Sequence, residues 1–213
     1  MGAAPKIPGG EPLPDAKETN QAVALLLQVI GAIAPVPWTE QDRLLRLLKR
    51  RTLAKGEYFV RAGERTRTIG FARRGLLRHY YISADGRDFT RAFHREGQFV
   101  ASMTAFLSGE PSFYFIQALE ETALLTLECD DWASLQDSHP VWAAINKRIL
   151  EGAVLHGEKR EQSLILDDAE TRYLGFLREF PGIESRVKQH HIASYLGITP
   201  VFLSKIRGRP AKK

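Results

Sequence analysis

Residues 189–213, QHHIASYLGITPVFLSKIRGRPAKK, place two apolar helical faces on either side of one glycine. Ile192, Ala193 and Leu196 recur at helical spacing before Gly197, and Ile198, Leu203 and Ile206 resume after it. Two helices that cross steeply over a short turn need a small residue where their backbones touch, here Ala193. They also need a turn residue that takes positive φ without Cβ strain, here Gly197. Thr199 suits the N-cap of the second helix and Pro200 its first turn, where a missing N–H costs nothing. Leu203 and Ile206 then turn inward, leaving Pro200, Val201, Ser204 and Lys205 outward. The pattern predicts a helix-turn-helix; the alternative is an ordinary helical hairpin on the surface.

Charge separates the two. From residue 178 to the C-terminus there are eight basic residues (Arg178, Arg186, Lys188, Lys205, Arg207, Arg209, Lys212, Lys213) and two acidic ones (Glu179, Glu184). That block is +6, whereas all 213 residues sum to +5, so the other 177 sum to −1. Charge concentrated at one end marks a surface for a polyanion, and solubility alone gives no reason for it.

Composition bounds the rest. The single cysteine, Cys129, excludes an intramolecular disulfide and a cysteine-ligated zinc or iron–sulfur site, and fits a reducing, cytoplasmic setting. The only long apolar run, residues 22–34, is thirteen residues, short of the ~20 needed to span a bilayer. No membrane partner is expected. Residues 1–19 read as a disordered leader and residues 20–34 as a helix with its apolar face on the domain.

Two textures divide the middle. From residue 53 to about 131, short runs rich in β-branched and aromatic residues (EYFVRAG, TIGFARRG, LLRHYYIS, DFTRAFH, ALLTLEC) alternate with turn residues such as Gly56, Gly75 and Gly97. This predicts a small antiparallel sandwich or barrel. From His139 the spacing becomes helical, through Trp142, Ile145, Ile149, Gly152 and His156, with no proline until Pro181. One helix to about Leu166 is expected. Its apolar stripe is narrow, which suits dimerisation; Gly152, Gly157 and His156 weaken the seam, so packing on its own domain is the alternative. Asp167 followed by Glu170 resembles a capping box that restarts a helix over residues 169–180. The fold class is therefore α+β: an N-terminal antiparallel β-domain with leading helices over residues 20–137, a dimerisation helix over 138–166, and a helix-turn-helix domain over 167–213.

Three stretches make a family resemblance specific: LAKGEYFVRAGE (residues 53–64), GQFVASMTAFLSGEPSFYFIQALE (97–120) and AETRYLGFL…IASYLGITPVFLSKIR (169–207). Together they resemble the Crp–Fnr family of bacterial transcription regulators over residues 38–207. The resemblance implies a cyclic-nucleotide-binding-like β-roll, a dimerisation helix and a DNA reader. It also implies a homodimer on double-stranded DNA with an inverted repeat, and RNA polymerase as a possible further partner. Cyclic-AMP-binding relatives carry a Gly-Glu pair for the ribose and an Arg-Ser pair for the cyclic phosphate. Aligned on Gly97 and Phe99, this chain has Ala101-Ser102 and Ser112-Phe113 there, and no arginine between Gln98 and Asp131. A buried cyclic phosphate would lack its charge-assisted hydrogen bond, so cyclic AMP is not expected. Ser102, Thr104, Ser108 and Ser112 are candidates to line a pocket for another small-molecule effector, or are loop hydroxyls bonded locally.

Other site chemistries lack their residues. The six histidines contain no HxH pair, against a metal-dependent cupin enzyme. His79 and His94 are lone strand histidines and not a haem site. His190 and His191 point to different helix faces, toward solvent or phosphate. No nucleophile–base pair, paired catalytic carboxylates or Gly-rich phosphate loop is present, so neither catalysis nor a cofactor or metal is expected. A small-molecule module acting through protein contacts is the other reading of the whole chain, and the +6 block opposes it. The expected base readers are Thr199, Pro200, Val201, Ser204 and Lys205. The expected phosphate contacts are Arg186, Lys188, Arg207, Arg209, Lys212 and Lys213, with residues 208–213 a basic tail in place of a full wing.

A dimer with those six cations neutralises up to about twelve phosphates, so log K should fall steeply with log salt, ~0.9 per contact. Removing residues 208–213 should weaken binding to all sequences alike and flatten that slope. An unchanged slope refutes the tail assignment.

Overall fold

Alternation along the middle of the chain builds two four-stranded antiparallel sheets, one ordered β1-β8-β3-β6 and the other β2-β7-β4-β5. The strands are β1 (Lys49–Leu53), β2 (Tyr58–Val60), β3 (Thr68–Arg74), β4 (Leu77–Ile82), β5 (Asp88–His94), β6 (Phe99–Val100), β7 (Phe115–Ala118) and β8 (Thr122–Glu128). In this computed structural model residues 16–208 are described. The expected disordered leader over residues 1–15 and the expected basic tail over residues 209–213 lie outside them. Leu53, Val60, Ala72, Leu77, Ile116 and Leu124 fill the space between the sheets. The turns rely on glycine most plainly at Gly75, with φ of 100°. A Cβ there would stand 2.6 Å from the carbonyl oxygen of Glu121.

Helices close the ends of the roll. α1 (Ala16–Gly31) begins four residues before the expected start and sinks Ala22, Leu26 and Ile30 into a cluster with Trp132, Trp142 and Ile145. α2 (Trp38–Leu47) is fixed to it through Glu40, whose carboxylate accepts from the Trp142 indole N–H at 2.7 Å and from Ser138 Oγ at 2.9 Å. α3 (Met103–Ser108) is a short helix after β6, and α4 (Cys129–Ser138) leads from β8 into α5 (Pro140–Leu166). At 27 residues α5 has the expected length. Its first turns are core, through Val141, Trp142 and Ile145. Further along, Val154, Leu155, Ile165 and Leu166 stand exposed. The pairs 154/165 and 155/166 are eleven residues apart, about three turns, so they share faces.

α6 (Ala169–Glu179), a 3₁₀ turn (Ile183–Ser185), α7 (Gln189–Leu196) and α8 (Pro200–Arg207) follow. The N-cap of α6 is one residue later than expected, which puts Thr171 and not Glu170 at the third helical position, so the expected capping box is reduced to its cap. Asp168 is the N-cap, accepting from Thr171 N at 2.8 Å, while Asp167 ends α5 and accepts from Ser163 Oγ. The core of these helices is continuous with the outer face of the β-roll. Phe93 on β5 points away from the roll interior and meets Tyr195, Phe180 and Phe176, with ring centroids 5.6, 5.9 and 6.2 Å away. Replacing Phe93 by alanine should therefore cost about 3–5 kcal/mol in urea unfolding. It should also split the transition, because the helices lose the ring that joins them to the roll. A single unshifted transition would contradict this packing.

Candidate nucleic-acid interface and effector pocket

The local chemistry of the helix-turn-helix is the one its sequence requires. Gly197 ends α7 in the left-handed region, φ 67°, and Ile198 N donates to Ala193 O at 3.0 Å, closing a Schellman-type turn. Thr199 caps α8, accepting from Phe202 N at 3.2 Å, with Pro200 at its first position. Ile192, Ala193, Leu196, Leu203 and Ile206 are buried together. The crossing is fixed by a residue that the apolar pattern did not reveal: Gln189 donates from Nε2 to Pro200 O and Ser204 Oγ. Arg172 adds a second brace, donating to Leu196 O at 2.9 Å and Asp167 O at 2.6 Å.

Of the expected base readers, Thr199, Pro200, Val201, Ser204 and Lys205 all stand exposed on one surface. Val201 is 68% exposed, and Phe202, 41% exposed, joins them, a residue the sequence reading left out. The expected phosphate contacts divide. Lys188 is exposed and free to meet a backbone. Arg186 is not placed there: its guanidinium bridges Glu96 at 2.7 Å and Glu120 at 2.6 Å, both on the β-roll. Those carboxylates push its pKa further up and hold it charged. Arg207 pairs with Glu184. Arg209, Lys212 and Lys213 lie outside the described residues.

α7 is docked on β5. Ser194 Oγ accepts from Thr90 N at 2.8 Å and donates to Asp88 O at 3.0 Å. Arg160 of α5 donates to Thr90 O at 3.1 Å and to Tyr195 O at 2.6 Å. The expectation that both His190 and His191 face solvent or phosphate holds for His190 alone. His191 is half-buried against this seam, with no partner at Nδ1. Burial, followed by the charges of Arg78 and His190, pushes its imidazole down to about 4.

Of the four residues proposed for an effector pocket, the three serines have their hydroxyls bonded within the protein, and Thr104 takes part through its backbone carbonyl. Ser102 Oγ caps α3 by accepting from Ala105 N at 3.4 Å. Ser108 Oγ donates to Thr104 O at 2.8 Å, and Ser112 Oγ donates to Tyr114 O at 2.9 Å. Tyr114 also turns its ring inward, and its hydroxyl accepts from Met103 N at 2.7 Å, at the amino end of α3. The backbone donor that a ligand oxygen would seek at that turn is thus taken by a phenol of the chain itself. Neither three or more clustered His, Cys, Asp or Glu side chains able to hold a metal ion, nor a helix long and apolar enough to cross a membrane, occurs among the described residues.

Residues 50–139 match the family of cyclic nucleotide-binding domains. Over 194 residues the chain is 26% identical to the fumarate and nitrate reduction regulatory protein of Yersinia pestis, covering 82% of this chain and 75% of that one. The protein of the same name in Escherichia coli shows the same identity and coverage. Among solved structures, FixK2 from Bradyrhizobium japonicum superposes with a TM-score of 0.66 at 20% identity, covering 75% of this chain and 82% of its own. The catabolite activator protein of Thermus thermophilus gives 0.55 at 21%, covering 82% and 84%.

Because His191 is kept neutral in the fold with its pKa near 4 instead of 6.5, protonation favours the unfolded chain. Stability should be full above about pH 6.5 and decline as pH falls toward 4. A His191→Gln variant should show a shallower decline of the urea midpoint over that window; an identical profile would remove His191 from the account.

Proposed function

We infer that this chain, a DNA-binding transcription regulator of the Crp–Fnr type, acts in the cytoplasm as a homodimer that reads an inverted repeat through α8. The observation that carries the reading is the exposed surface of a helix whose cap, turn and buried face all serve to present it: Val201, Phe202, Ser204 and Lys205 point outward while Leu203 and Ile206 anchor it. Such a helix places its first residues against base edges in the major groove while the preceding helix crosses the backbone. The exposed leucines, valine and isoleucine of α5 support pairing with a second copy, since an apolar stripe on a helix this long has no other cover among the described residues. A regulator needs no catalytic residues, and RNA polymerase is the natural protein partner of a factor bound upstream of a gene.

Two apolar side chains at the start of the reader favour contact with thymine methyls, with Lys205 on guanine O6/N7 or on phosphate. Selection of bound fragments from a random DNA pool should return an inverted repeat with half-site centres about 10–10.5 base pairs apart. On the selected site, Val201→Ala should cost about 1–3 kcal/mol and little on random DNA. Lys205→Ala should lose affinity at one base position if it touches a base, and uniformly if it touches phosphate. Both variants binding every sequence like the parent would refute α8 as the reader.

Cyclic AMP and cyclic GMP are not the effectors in this reading. Ser102 and Ser112 supply neither a ribose carboxylate nor a phosphate cation, and Tyr114 occupies the Met103 amide. Calorimetry with either nucleotide should show no binding at micromolar concentration, and a micromolar dissociation constant would overturn the exclusion.

A further inference from the structure

A cavity of about 450 Å³ lies between the β-roll, α1 and the middle of α5, within the range of small-molecule sites. Its walls are apolar over most of their extent, with Leu26, Ile30, Phe71, Phe106, Trp142 and Ile149 among them. Besides Gln98, which accepts from Arg95 N, three polar side chains interrupt that lining from the roll side. His79 on β4 is 2% exposed and its Nε2 has no hydrogen-bond partner. His94 on β5 also has a buried, unpartnered Nε2, and the two imidazole rings lie 5.9 Å apart. Arg91 joins them because the ladder slips between His79 and Tyr80: Ala92 faces His79 and Thr90 faces Tyr80, leaving Arg91 as the extra residue. A bulge of this kind re-aims a side chain that strict alternation would send to the other face.

These groups need something the protein does not provide. Buried imidazole nitrogens are ordinarily hydrogen-bonded. The other cationic arginine on the wall, Arg148, pairs with Glu151, and the wall carboxylate Glu179 is taken by His156 and Tyr195. Arg91 has no acidic partner among the described residues. On the opposite wall α5 contributes Ile149 and, at the open side, the exposed Gly152.

We propose that this cavity binds a small organic acid, its apolar acyl or aromatic body lying along Trp142 and Ile149 and its carboxylate held by Arg91 with His79 and His94 beside it. An arginine meets a carboxylate through two parallel N–H donors, which an alcohol cannot match and an amine repels. The site differs from the four-hydroxyl pocket that the sequence suggested. It rests on the Crp–Fnr reading only for its role as an effector site; binding itself does not depend on DNA.

Trp132 and Trp142 both line the cavity, so their fluorescence reports occupancy in the full-length protein. Octanoate, octanol and octylamine, and 1-naphthoate with 1-naphthol, serve as probes. Saturable changes with the acids and at least about tenfold weaker binding of the alcohols and the amine are expected. Arg91→Gln should weaken the acids about tenfold or more, and Arg91→Lys should retain part of the binding. Circular dichroism identifies a variant that fails to fold, and in that event the ranking of the probes on the parent protein decides. Acids and alcohols binding equally, or Arg91→Gln binding the acids as the parent does, would overturn the proposal. Binding to the selected DNA site is measured separately: its loss refutes the regulator reading, and its persistence without acid binding refutes only the cavity.

Discussion

The guanidinium of Arg160 is the joint on which the arrangement turns. From the exposed half of α5 it donates to the carbonyl of Thr90 in the roll and to the carbonyl of Tyr195 at the end of α7, and it lies 3.9 Å from the Tyr195 ring centroid. Three elements distant in sequence share one side chain with donors enough for all of them, in a setting where a buried carbonyl left unpaired would be costly. Phe93 supplies the apolar half of the same seam, and the Arg186 bridge to Glu96 and Glu120 closes its far edge. The reader is therefore held against the roll by polar and apolar contacts together.

That docking redistributes the charge that the sequence concentrates at the C-terminus. Arg186 and Arg207 count toward the +6 block, yet each is paired with carboxylates, and among the described residues of the block Arg178, Lys188 and Lys205 are exposed. A count of basic residues measures how much charge a segment owns and says little about where the fold directs it.

The parts legible in the sequence are those governed by local rules. Helical period and one glycine were enough for α7 and α8, the Thr199 cap followed from residue type, and the length of α5 followed from the absence of proline. The capping residue of α6 was off by one because Asp167 and Asp168 are equally good caps, and only the backbone path decides between them. Gln189, Arg172 and Arg160 were invisible, since each acts on a backbone carbonyl or partner that no spacing along the chain predicts. The bulge at Arg91 was hidden for a similar reason: register is a property of two strands, and the sequence of one does not fix it. The serine and threonine hydroxyls of residues 102–112 could be read either way, because a loop hydroxyl looks the same in a sequence whether it faces a ligand or its own backbone.

α5 runs unbroken for 27 residues, about 40 Å at 1.5 Å per residue. Its first turns are embedded against Trp132 of α4 and the apolar side chains of α1, and its last turn joins α6 through two residues, Asp167 and Asp168. Near its far end Arg160 is bonded to both the roll and α7, so the rod is fixed at both ends. Its length and direction therefore set where the reader stands relative to the tryptophan cluster, as a strut does between two walls.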